Sequence, residues 1–220
     1  MKKLESSLKN MALALTGFSV VAGGLLGWVN DVTAEPIAQA NAKTLSDAIA
    51  VVVPGFDNNP AEAPETVEVN GATYKIYKAT KGGEPIGAAV ESSANGFGGA
   101  LTVLVGFGND GNIIDYSLLS HAETPGLGSK AADWFKKGAK GDITGKNPGE
   151  AALTVSKDGG QIDAITASTI TSRAFLLAVN NAYAAYKNQY VDGASGATTQ
   201  AEEADAETAV AADSTNVENN

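Results

Sequence analysis

The uncharged run from Met11 to Val29 constrains this chain more than any other feature. At a rise of about 1.5 Å per residue, about 20 apolar residues cross a hydrocarbon core of about 30 Å. Lys2, Lys3 and Lys9 precede the run, and Asn30 and Asp31 follow it. Lysines on one flank favour the cytoplasmic side for that flank, so everything from Asp31 onward is expected outside the cytoplasm. A cleaved secretory signal has an apolar core of about 7–15 residues before a small-residue cleavage site. Val32-Thr33-Ala34 resembles such a site, but the run here is longer, and an uncleaved single-pass anchor over 11–30 is expected, with 1–10 in the cytoplasm.

Beyond the anchor, the residue types present allow only certain kinds of chemistry. The chain has no cysteine, which excludes disulfides, thiolate metal sites, iron–sulfur clusters and cysteine nucleophiles. A single histidine rules out bis-histidine haem and His-rich metal sites within this chain, so no metal site is expected, and no residue is assigned a catalytic role. Redox chemistry here would therefore come from an organic cofactor. The formal charge of −10 is concentrated at the end: Asp192, Glu202, Glu203, Asp205, Glu207, Asp213 and Glu218 lie in 191–220 with no Lys or Arg. That segment is poor in large apolar side chains and is expected to be a disordered acidic tail. Without a basic stripe, nucleic acid is not an expected partner.

Between anchor and tail the pattern is mixed. Lys43–Val53 has helical spacing at Leu45, Ile49 and Val52 and stops at Pro54-Gly55. Val67–Val69, Asn70-Gly71 and Ala72–Tyr77 predict a hairpin, since a primed two-residue turn needs positive φ at both positions. Ile86–Val90 and Ala100–Phe107 predict strands, and Asp110-Gly111 turns the latter back into Ile113–Leu119. Thr171–Lys187 places Phe175, Val179, Ala182 and Tyr186 on one helical face. Strands joined by hairpins between helices predict an α+β domain over 31–190.

Two stretches carry candidate chemistry. Asp163–Arg173 sets five hydroxyl residues, Thr166, Ser168, Thr169, Thr171 and Ser172, before an apolar helical pattern. One hydroxyl suffices for an N-cap. The same helix start offers unpaired N–H groups and the positive end of the helix dipole to a phosphate, with Arg173 one turn in as a cationic partner. The second stretch is His121-Ala122-Glu123-Thr124-Pro125-Gly126-Leu127-Gly128, directly after a strand. It reads equally as a tight turn, with proline fixing φ and glycine supplying positive φ, and as a loop whose glycines let backbone approach a flat ligand.

Glu-Thr-Pro-Gly-Leu-Gly at 123–128, the Gly-rich strand pair from Gly96 to Gly111, the hydroxyl cluster leading into Thr-Ser-Arg-Ala at 171–174 and the N-terminal anchor together resemble the G subunit of the Rnf electron-transport complex. The C subunit of the sodium-translocating NADH:quinone reductase, which shares the FMN-binding domain, is the related alternative. The resemblance implies an electron-carrier subunit of a bacterial inner-membrane complex that passes electrons between ferredoxin and NAD⁺ and moves sodium or protons. It implies FMN joined by a phosphoester to a threonine, attached by a flavin transferase, and partners among the complex's other subunits. The family motif Asp-x-x-[Ser/Thr]-Gly-Ala-Thr maps onto Asp163, Thr166 and acceptor Thr169, with Ala167 and Ser168 where the family has Gly and Ala. Thr169, Thr166, Ser168, Arg173, Glu123, Thr124, Pro125, Gly126, Leu127 and Gly128 are the expected cofactor contacts. Asp192–Thr198 matches the motif without substitution, but Thr169 lies at a helix start and is the expected acceptor. An anchored scaffold without cofactor is the reading from another class.

Overall fold

A computed structural model of the chain describes residues 8–69 and 71–187. The expected tail over 191–220 and the motif ending at Thr198 lie outside the described residues, as does most of the segment 1–10. The first element, α1 (Leu8–Val52), joins the two separately expected helices into one. The intervening residues explain why: Ala34, Glu35, Ala38, Gln39, Ala40 and Ala42 are good helix formers, and Pro36 removes only one donor from the ladder. Thr33 Oγ1 donates to the Val29 carbonyl at 2.8 Å, so the cleavage-like Val32-Thr33-Ala34 lies within continuous helix. Along the apolar run, Leu13, Leu15, Phe18, Val20, Val21, Leu25, Leu26 and Trp28 are 61–80% exposed. A helix long and apolar enough to cross a membrane, with these side chains uncovered, suits lipid.

Residues up to Thr44 form one compact unit and Leu45 onward another. The second unit is built on five antiparallel strands in chain order: β1 (Glu65–Val69), β2 (Ala72–Lys81), β3 (Glu84–Asn95), β4 (Ala100–Gly108) and β5 (Ile113–His121). The expected α+β architecture is what the structure has. Each expected strand is present and longer than its apolar kernel, because hairpin pairing carries the ladder to the turns.

Both faces of the sheet are covered, and strand alternation sorts the side chains. Tyr74, Ile76, Ala88, Val90, Val103, Val105 and Phe107 face α3 (Thr169–Tyr186). Tyr77, Ala79, Ala89 and Leu104 face the last turns of α1, through Ala48, Ile49, Val52 and Val53. A Cβ on Gly106 would strike the Val52 carbonyl, so this glycine lets the helix end lie directly on β4.

Aromatic packing sets the position of α3. The ring of Phe175 stacks on Phe135 with centroids 4.3 Å apart and meets Tyr116 edge-on at 4.8 Å. Such pairs add about 0.5–1.5 kcal/mol beyond area burial. Tyr116 Oη donates to the Ala131 carbonyl at 2.7 Å and accepts from the Phe135 N–H at 3.2 Å. Burial pushes the Tyr116 hydroxyl well above its ordinary range. This buried hydrogen-bonded phenol ties β5 to the short helix α2 (Ala131–Trp134), and with Phe175 it fixes the start of α3 beside the end of β5.

Candidate functional site

A cleft of about 330 Å³ opens where the loop after β5 meets the start of α3. It is lined by Phe97, Glu123, Thr124, Leu127 and Gly128 on one side and by Ala167, Ser168, Thr169, Ile170 and Thr171 on the other. Two segments far apart in the chain, both singled out by their composition, thus form opposing walls.

The loop wall is organised by Glu123, only 5% exposed. Its Oε1 accepts from the Phe97 N–H at 2.8 Å, and its Oε2 accepts from the Gly98 N–H at 3.3 Å and from Thr171 Oγ1 at 2.9 Å. One carboxyl therefore joins the β3–β4 turn, its own loop and α3. Glycine is required around it: a Cβ on Gly96 would overlap Glu123, and one on Gly128 would lie 2.6 Å from Glu123 Oε2 and 2.9 Å from Thr171 Oγ1. Gly126 is needed for its backbone, with φ of +76°, and its N–H donates to Ser129 Oγ at 2.8 Å. Pro125 and Gly126 are exposed and shape the turn without lining the cleft. His121 is also exposed, and its Nδ1 accepts from the Glu123 N–H at 3.2 Å.

The helix wall uses its five hydroxyls in different ways. Helix α3 begins at Thr169, two residues earlier than its apolar pattern suggests. Ser172 Oγ accepts from the Ile165 N–H and donates to the Ser168 carbonyl, both at 2.9 Å, and Thr171 is held by Glu123. Thr166 is exposed outside the lining. Buried Ser168 occupies the N-cap position but makes no capping hydrogen bond, so the first turn has no side-chain cap. That leaves Thr169, half-buried on the cleft wall, as the hydroxyl of the helix's first residue. Just before it, Ala167 is the one non-glycine residue with positive φ among the described residues, at 62°. The left-handed region costs a Cβ-bearing residue about 1–2 kcal/mol. A glycine would adopt this conformation without that cost.

Arg173 does not line the cleft. Its Nε and Nη2 donate to Asp158 at 2.7 and 2.6 Å, and this hydrogen-bonded pair holds the Asp158 carboxyl below its ordinary range. The cation beside Thr169 is Lys157, whose Nζ donates to Thr169 Oγ1 at 3.1 Å. Neither Lys157 nor the apolar linings Phe97 and Ile170 emerge from the sequence. Phe97 had a signal, an aromatic among Gly96, Gly98 and Gly99, and it stands 73% exposed at the cleft. Lys157 had none, because a contact across a turn leaves no periodic trace.

An apolar-lined cleft of this volume, with a hydroxyl on its helix wall, suits a small organic ligand. The family model described as "FMN-binding domain" matches residues 96–184, a span running from the Phe97 turn through most of α3. Relatives named as the G subunit of an ion-translocating oxidoreductase complex extend the match. The one from Cereibacter sphaeroides is 36% identical over 177 residues, covering 77% of this chain and 80% of the relative. Those from Yersinia pestis (35%, 80% of this chain and 88% of the relative) and Vibrio cholerae (34%, 84% and 92%) agree. The chain belongs to this G-subunit family, the one its loop and hydroxyl motifs resemble. With its long exposed apolar helix, it is a membrane protein.

Proposed function

We propose that this chain is the electron-carrying subunit of a membrane-bound ion-translocating oxidoreductase complex, holding FMN through a phosphoester to Thr169. The observation that carries the proposal is the cleft in which Thr169, at the uncapped start of α3, faces the Glu123–Gly128 loop. Its volume lies in the range of small-molecule sites, about 300–1,000 Å³. The Glu123 oxygens are turned onto N–H groups and the Thr171 hydroxyl, so the side chains of Phe97, Leu127, Ala167 and Ile170 leave apolar surface for a flat ring.

Bound there, the flavin would accept and donate electrons, while the protein positions it and excludes water. Attachment fits the chemistry of the acceptor. Thr169 Oγ would be the acceptor, replacing AMP at the flavin-side phosphorus of a flavin adenine dinucleotide, with AMP leaving with the electron pair and the hydroxyl proton passing to solvent. The first-turn N–H groups of α3 favour the resulting negative phosphodiester. Fixed covalently, the cofactor is not lost outside the cytoplasm.

Co-expression with a flavin transferase, followed by denaturing gel fluorescence and peptide mass mapping, tests the site. Thr169→Ala abolishes the covalent fluorescence, whereas Thr198→Ala and truncation after Gln189 leave it intact. The reverse pattern sinks the assignment. We also place the domain on the periplasmic face of the inner membrane, since Lys2, Lys3 and Lys9 precede the span. Protease added to intact spheroplasts then removes the domain, and protection while outer controls are digested reverses the orientation. The other subunits of such a complex are its proposed partners.

A further inference from the structure

We propose that Lys157 is the residue that holds the phosphate carried on Thr169, with the Asp158–Arg173 pair acting as the brace that points it there; this rests on the Thr169 assignment above. Lys157 Nζ donates to Thr169 Oγ1 at 3.1 Å. Among the described residues the ion pairs are Lys75–Glu91, Lys78–Glu65, Lys136–Asp115 and Arg173–Asp158, so Lys157 has no carboxylate within pairing distance. The exposed ammonium is solvated and acts on the Asp158 carboxyl from beyond pairing distance, and a phosphate on Thr169 would set an anion against it directly.

Arg173, the cation expected from the helix pattern, is engaged. Both of its contacts run to Asp158, and a two-pronged guanidinium–carboxylate pair fixes orientation as well as distance. Asp158 is the neighbour of Lys157 in the 3₁₀ turn Ser156–Asp158, so the pair fastens that turn to α3 one turn past its start. The turn is secured from behind by the Ser156 N–H donating to the Ile162 carbonyl at 2.8 Å and by Gly159, whose φ of 83° closes it. Lysine suits the forward role, since its compact charge on a flexible stem can follow an oxygen that moves. Esterification would turn Oγ1 into a weak acceptor and set two non-bridging oxygens, sharing one negative charge, on the phosphorus beyond it. The ammonium then shifts from Oγ1 to those oxygens without movement of the turn.

The test uses the full-length, flavin-loaded protein in detergent and begins with peptide mapping. Flavin found on any residue other than Thr169 overturns the assignment above, and this proposal with it, before Lys157 is probed. With flavin on Thr169, the ³¹P shift of the phosphodiester is compared at neutral pH between the wild type and its variants. We expect it to move in Lys157→Gln, to stay close to the wild type in Lys157→Arg because the charge is kept, and to move less in Arg173→Gln as the brace loosens. A shift left unchanged in Lys157→Gln overturns the role of Lys157. A shift that moves in Arg173→Gln while Lys157→Gln leaves it unchanged returns the role to Arg173. Should Lys157→Gln acquire no flavin, flavin on Lys157→Arg supports a need for the cation, and its absence there overturns the proposal.

Discussion

The two walls of the cleft are held in opposite ways. Among the described residues, one buried side chain joins the loop wall to the Phe97–Gly98 turn and to Thr171, the carboxyl of Glu123. The helix wall is held many times over, by the Ser172 hydroxyl, the Asp158–Arg173 pair and the Phe175 ring set between Phe135 and Tyr116. A wall with one fastening is easily broken and easily moved. A wall with several tolerates local strain, and it is there that Ala167 sits at positive φ. The contrast suits the proposed attachment at Thr169, where the acceptor would stay fixed while the opposite side adjusts to the ring.

Removing the single fastening should have the largest effect. Glu123→Ala leaves two N–H donors and the Thr171 hydroxyl unpaired, each at a cost of about 1–3 kcal/mol when buried. A net loss of about 3 kcal/mol is expected in denaturant unfolding, with Glu123→Gln losing less because one amide oxygen still accepts. A loss below about 1 kcal/mol for the alanine variant would mean that the loop wall has other support. Gly126→Val comes next. Nothing lies within 4 Å of a Cβ there, so no clash is expected and the penalty is the backbone cost of a branched residue at φ +76°, about 1–3 kcal/mol. Because Gly126 lies between the lining residues Thr124 and Leu127, the flavin absorption spectrum of the loaded protein should change as well. An unchanged spectrum with a lowered melting temperature would make this a structural turn only.

The helix wall should answer more weakly. Ala167→Gly relieves the left-handed strain and is expected to raise stability by up to about 1 kcal/mol, read as a higher melting temperature. A lower melting temperature would show that the alanine is not strained. The smallest effect concerns acid. The hydrogen bond from Arg173 lowers the Asp158 carboxyl below its ordinary range, so the pair's contribution is complete above the unfolded carboxylate value of about 3.9 and is lost as pH falls through the lower folded value. A partly exposed pair of this kind contributes at most about 1 kcal/mol. Comparing acid unfolding of the wild type with Arg173→Gln should show the two curves converging below about pH 4. Curves that stay apart at lower pH would mean Arg173 supports the wall in another way.

Local pattern specified much of this protein. The length and neutrality of Met11–Val29, the period-two runs bounded by Asn70-Gly71 and Asp110-Gly111, and the helical spacing from Phe175 to Tyr186 depend only on neighbouring residues, and the corresponding elements are present. Composition also pointed to both walls of the cleft, since a Thr-Pro-Gly turn and a run of hydroxyls are local features. Tertiary structure decided what those features meet. The joining of α1 across Pro36 depended on the summed propensity of its surroundings outweighing one lost donor. The choice of Lys157 over Arg173 as the cation at Thr169 depended on where Asp158 lies, and the seat of Glu123 depended on the Phe97–Gly98 turn and the Thr171 hydroxyl meeting it from distant segments. Charges and hydrogen bonds select partners by distance in space, and the sequence orders residues only along the chain.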